Sequence, residues 1–129
     1  YLLDSGTGRF GAIDLASGAF EEIAFCPGFA RGLSIVGDYA LIGLSMPREN
    51  KTFSGLPLDS ALTDRDTQPR CGLIVVDLRT GDAVHWVRIE GVVTEIYDVA
   101  MIPGVRRPMA IGTRTDEIRR MISLEASAI

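Results

Sequence analysis

Lysine is almost missing from these 129 residues: Lys51 stands alone beside twelve arginines. There is one histidine (His85), one tryptophan (Trp86) and a single pair of cysteines, Cys26 and Cys71. No apolar run approaches the roughly 18 residues a membrane-spanning helix requires, so no membrane partner is expected. No charged segment leads into an apolar stretch and a cleavage-like site, which excludes a signal peptide and fits a cytoplasmic protein. The first residue is Tyr1, and the sequence reads as a piece cut from a longer protein. One His and two distant Cys do not match zinc spacing, and neither metal nor cofactor is expected. Two reduced, buried thiols are the expected state of the cysteines, with a disulfide as the alternative. A basic excess is missing as well: 17 acidic residues against 13 basic ones give a net charge of −4, which argues against nucleic acid. The arginine bias suits bidentate pairing with carboxylates or phosphates, although genomic composition bias is the favoured account of it.

What is present is the material of one ordinary domain, residues 1–129, with 47% apolar and 23% charged residues. Strand signals dominate. Gly11–Leu15 leads through Ser17-Gly18 to Phe20–Phe25, and Leu73–Leu78 leads through Thr80-Gly81 to Ala83–Ile89. Each reads as a β-hairpin with a short Gly-containing loop. The two segments match at a constant offset of 63 residues: Asp14 with Asp77, Leu15 with Leu78, Ser17 with Thr80, Gly18 with Gly81 and Gly28 with Gly91. Asp14 and Asp77 are placed to accept hydrogen bonds from turn amides. Between them, Gly32–Val36 and Tyr39–Gly43 flank the two-residue turn Gly37-Asp38. Beyond them, Tyr97–Ile102 and Pro108–Ile111 flank a further turn.

Hairpins in this order predict an all-β fold, a partial β-propeller. One complete four-stranded antiparallel blade is expected at about 30–91. Parts of two neighbours would lie at 1–29 and 92–112, with a tail at 113–129. The offset exceeds a blade by roughly the length of Met46–Arg70, a polar segment with three prolines that reads as one long inserted loop without regular structure. In the tail, Thr115 before Asp116 and Glu117 predicts a short helix at 115–124, a final strand being the alternative. A propeller closes with about four to eight blades. The expected partners are therefore the rest of the propeller or copies of this chain, unless the strands form a compact sandwich.

Short motifs add little. Gly6-Thr7-Gly8-Arg9-Phe10-Gly11 has the letters of a dinucleotide fingerprint, but the next residues, Ala12 to Leu15, read as a strand rather than the required helix. Asp64–Gln68 resembles the start of a calcium loop without its Gly and closing Glu. Asn50-Lys51-Thr52 is a glycosylation sequon that matters only on a eukaryotic secretory route. His85 has no evident nucleophile partner and reads as a sheet-face residue, and Trp86 reads as core.

Asp4–Gly8, Pro47–Asn50, Phe53–Leu58, Arg70–Leu73, Ile89–Val93 and Ile96–Val99 resemble a family of bacterial conserved hypothetical proteins. It is a domain of unknown function with propeller-like repeats, joined in some members to tetratricopeptide repeats. The resemblance spans nearly the whole chain, which looks like the C-terminal part of such a protein. It implies a propeller-like fold and carries no catalytic residues.

Blade topology puts the tight turns at one end of the sheets and the longer connections at the other. The latter end gathers Arg31, Arg48, Glu49, Asn50, Lys51, Arg70, Glu90 and Glu95, the candidate binding residues. Asp4, Arg9 and Arg114 belong to the same end. Convergent charge over a rigid scaffold suits a site, though solvated loop charge explains it too. The favoured function is a non-enzymatic binding module for a protein, peptide or small polar ligand. The alternative is a propeller enzyme acting on a sugar or other polar substrate, with Glu49, Glu90 and Glu95 as acid and base.

Overall fold

The computed structural model describes residues 1–47, 55–112, 114 and 116. Two antiparallel sheets account for every strand among them. The first runs β1 (Leu2–Asp4), β2 (Arg9–Ile13), β3 (Phe20–Phe25) in spatial order. The second runs β4 (Phe29–Val36), β5 (Tyr39–Ser45), β6 (Gly72–Asp77), β7 (Ala83–Arg88), each strand beside its neighbour in the chain. The mostly-β class and the four-strand meander at 29–88 agree with the sequence expectation.

Alternation explains how the sheets meet. In β5, Ala40, Ile42 and Leu44 point to one face and are fully buried. Ile74 and Val76 from β6, and Ala30 from β4, share that core with Phe10, Ala24 and Cys26 of the first sheet and its exit. Leu3, Ile23, Leu33 and Leu78 close its margin. Tyr1 stacks on Phe10 at 5.8 Å between ring centroids.

The two hairpin turns share their backbone hydrogen bonds. Gly18 N–H donates to the Asp14 carbonyl (2.7 Å) and Gly81 N–H to the Asp77 carbonyl (2.8 Å). Asp14 N–H donates to Ala19 O and Asp77 N–H to Asp82 O. The Asp14 carboxylate accepts from Ala16 and Ser17 N–H, and that of Asp77 from Arg79 N–H. Gly18 and Gly81 sit at φ of 73° and 78°, where a side chain is strained. Strand pairing also corresponds at the 63-residue offset, except that the bulge lies between Phe10 and Gly11 in one hairpin and between Val75 and Val76 in the other.

A second correspondence ties each sheet to the next stretch of chain. Leu3 pairs with Phe10 and Gly43 with Leu73, so Ser5 and Ser45 occupy matching places two residues further on. The Ser5 hydroxyl donates to Ala30 O (2.6 Å). The Ser45 hydroxyl donates to Ile96 O (3.1 Å) and accepts from Ile96 N–H (2.9 Å). Residues 96–99 thereby lie across the second sheet. They do so because Gly43 leaves room: a Cβ there would meet Val99 Cγ2 and Ile96 Cγ2.

Three expectations are corrected. The segment 46–70 is not devoid of regular structure, because α1 (Pro57–Asp64) forms within it. Proline at the first turn is preset for a helix, and Leu58 and Leu62, four residues apart, bury one face. Trp86 is not core: it is 65% exposed, because β7 is an edge strand with all six residues exposed. Residues 97–102 and 108–111 form no strands. An isolated hairpin is marginal in water, and Tyr97, Ile102, Val105 and Met109 there are exposed rather than packed on a third sheet. The run Gly6–Gly11 is a turn followed by a strand, with no helix to receive a pyrophosphate. The helix expected at 115–124 lies outside the described residues.

Candidate functional site

Phe29 starts β4, Ser45 ends β5, Gly72 starts β6 and Arg88 ends β7, so these four termini share one end of the second sheet. A bulge between Arg31 and Leu33 interrupts the β4–β5 register there. The Arg31 guanidinium contacts Glu95 (Nη1–Oε2, 3.3 Å) and lies over the Tyr97 ring, 4.8 Å from its centroid. Both charged side chains are half-buried, at 31% and 24% exposure. This pair spans 64 residues and ties β4 to the connection after β7.

Arg31 and Glu95 line a pocket with Phe29, Ser45, Met46, Pro47, Leu56, Leu58 and Asp59. Its volume is about 40 Å³. Since a water needs roughly 10–15 Å³, a few waters or the tip of a side chain fit, and a sugar ring does not. Helix α1 forms one wall. Leu58 is fixed by its N–H donating to Gly6 O (2.9 Å) and by burial of its side chain. Asp59, in the first turn of α1, accepts from Gly55 N–H at 3.0 Å. A second, polar recess of about 310 Å³ adjoins through Pro47 and Asp59, and is lined also by Leu62, Thr63, Asp66, Thr67, Gln68 and Pro69.

Of the residues singled out in the sequence, Arg31 and Glu95 are thus brought together. Arg70 and Glu90 share their end of the sheet but line neither recess. Glu90 pairs instead with Arg88 (2.9 Å) beside β7, three strand spacings or about 14 Å from β4. Arg70 precedes β6, where its N–H donates to Pro27 O. Arg48, Glu49, Asn50 and Lys51 lie outside the described residues. Asp4 and Arg9 pair with each other at 2.7 Å, and the Thr7 hydroxyl together with this guanidinium lowers the Asp4 pKa. Sequence reasoning missed Asp59 and the apolar wall, because both depend on α1. The available signal was Pro57 followed by Leu58 and Leu62.

The thiols offer no chemistry at this site. Cys26 and Cys71 are free and buried. Burial, helped by the charge of Glu22, pushes Cys26 up to about 12. Burial and the charge of Glu95 also raise Cys71. Neither supplies a thiolate near neutral pH. Among the described residues, no helix is long and apolar enough to cross a membrane.

The model of a family described as a domain of unknown function (DUF4915) matches residues 1–111. No curated protein and no solved structure matches the chain.

Proposed function

The chain belongs to the DUF4915 family, and from that premise we propose that it is a propeller-type binding module whose ligand enters the Arg31–Glu95 pocket. The observation that carries this reading is the pair itself: two half-buried opposite charges from distant segments, set among apolar walls at one end of a sheet. A single monodentate pair that water still reaches adds little to stability, so its placement in a recess suits recognition better than folding. The matching turns and the matching Ser5 and Ser45 bonds support stacked repeat units, completed by the rest of a propeller or by copies of the chain. The ligand is a small polar group presented by a peptide, a protein or a free molecule.

A carboxylate-based enzyme is the second reading, favoured by Asp59 and Glu95 lining one pocket. The small volume weighs against it, and Glu90, paired with Arg88, lines neither recess. Ligand-observed NMR with a panel of peptides and small polar compounds tests the proposal. Arg31→Ala and Glu95→Gln should each abolish binding that the exposed-strand variant Glu21→Gln retains. Binding preserved in both pocket variants would place the site elsewhere. Turnover of a polar substrate that depends on Asp59 and Glu95 would favour the enzyme.

A further inference from the structure

The two repeat units are covered unequally at matching places. In the second unit Val76 is fully buried, Leu78 packs on the core, and a Cβ on Gly81 would strike Ile23 O of β3. The turn after β6 is therefore seated on the first sheet. At the same 63-residue offset the first unit presents Ile13, Leu15 and Gly18. Ile13 and Leu15 are exposed, Leu15 to 96%, and a Cβ on Gly18 would meet nothing within 4 Å. The receiving surface repeats as well. Ala24 of β3 belongs to the core on which Leu78 packs, and its counterpart in β7 is Val87. Val87 pairs with Leu73 as Ala24 pairs with Phe10, yet it is 56% exposed. Ile74 and Val76 face the first sheet, so alternation turns Leu73, Val75 and Val87 to the opposite face. An apolar recess of about 380 Å³ opens among Tyr39, Leu41, Val75, Val84 and Met101.

Each unit thus carries both halves of the contact that joins the two. Among the described residues, the turn of the first unit and the outer face of the second are the halves left unused. They cannot meet within one chain, because the first sheet lies against the other face of the second. A scattered exposed leucine is ordinary. Here Leu15 has a matched receiving surface, and the sequence holds two Asp-Leu-x-Ser/Thr-Gly turns of which one is already seated. Resting on the repeat-unit reading above and not on the pocket, we infer that a second copy of this chain docks head to tail. Its turn at 13–18 seats on the outer face of the second sheet, at Val84 and Val87, as the turn after β6 seats on the first sheet. Such a heterologous contact leaves a free turn at one end and a free face at the other, so association continues past a dimer until a ring closes.

The test is sedimentation velocity of the whole chain at rising concentration. The wild type should grow in mass beyond a dimer. Leu15→Asp and Val87→Lys should each stay monomeric, the first by placing a charge on the turn and the second by guarding the edge strand. Both side chains are exposed, so an unchanged circular dichroism spectrum verifies folding, and Val84→Lys repeats the test if Val87→Lys does not fold. An equimolar mixture of Leu15→Asp and Val87→Lys has one intact turn and one intact face. It should form a 1:1 complex and nothing larger. A wild type that is monomeric at every concentration, association that survives either variant, or a mixture that does not associate overturns the inference. A dimer that never grows, lost in Val87→Lys and kept in Leu15→Asp, would be β7 pairing with its own copy and overturns it too. None of these variants touches Arg31 or Glu95, so failure to associate leaves the pocket to its own ligand test.

Discussion

Asp14 and Asp77 are single residues that each organise a whole turn. The carboxylate of each accepts turn amides that no backbone carbonyl reaches, so their replacement leaves donors without partners. Asp14→Ala and Asp77→Ala should both lower the thermal unfolding midpoint by several degrees, and nearly additively, because the turns belong to different sheets. Asp77→Asn should keep most of that stability, since an amide oxygen still accepts from Arg79 N–H. The same bonds set the acid response. Hydrogen bonds from the Ser17 backbone lower the Asp14 pKa, and those from the Arg79 backbone and side chain lower that of Asp77. A depressed folded-state value means that the stabilisation is present above the ordinary value of 3.8 and is lost as pH falls through the lower, folded value. Urea midpoints measured from pH 6 down to pH 2 should fall for the wild type in that acid window, and fall less for Asp77→Asn. Equal slopes would mean that the charge of Asp77 adds nothing to its turn. Cys26 gives a separate check: with its thiol pushed up to about 12, an alkylating reagent at pH 8 should modify it only in urea.

Helix α1 is eight residues long and holds its place through Leu58 and Leu62 rather than through its own propensity. It has no side-chain N-cap bond and no basic residue in its last turn. Leu58, 1% exposed, also packs against the turn between β1 and β2, where a Cβ on Gly8 would collide with it. Leu58→Ala should cost about 2–5 kcal/mol and weaken any ligand of the Arg31–Glu95 pocket, because α1 forms its wall. Guanidinium unfolding and ligand titration of the same variant measure the two effects; intact binding after the stability loss would remove α1 from the site. The strands and turns were legible because Asp-Leu-x-Ser/Thr-Gly fixes a turn locally and alternation fixes the strand beside it. The helix was not, because prolines on both sides of Leu58–Leu62 make the stretch read as loop, and burial of only two side chains leaves little periodicity. Trp86 misled for a related reason: an apolar residue on a strand is core only if something covers that face, and β7 is an uncovered edge among the described residues. Asp59 could not be assigned to the site until α1 was placed, whereas Arg31 and Glu95 could, because chain topology alone brings their segments to one end.

Across the whole molecule, two kinds of contact join the parts, and they should fail differently. The first is the common core, where Phe10 and Ala24 of one sheet meet Ile42, Leu44 and Val76 of the other. Neither sheet covers its own apolar face, so truncating the fully buried Phe10 to Ala should lower the stability of both together, by about 3–5 kcal/mol. The second is the pair of serine bonds that fasten Ala30 and Ile96 to the sheet preceding each. Ser45 is 2% exposed, and its hydroxyl satisfies both the N–H and the carbonyl of Ile96. Ser45→Ala removes both bonds at once and leaves those groups to water or to nothing, a cost of about 1–3 kcal/mol. That cost falls on the attachment of 94–99 and not on the core beneath it. Native-state amide exchange separates the two cases. In Ser45→Ala, the amides of Ile96 and Met46, the latter bonded to Thr94 O, should exchange faster while Ile42 and Ile74 keep their protection. In Phe10→Ala, protection should fall together in β2, β5 and β6. If Ser45→Ala instead lowered protection throughout the second sheet, residues 94–99 would be part of the cooperative core, and the Arg31–Glu95 pocket would open only when the sheet itself unfolds.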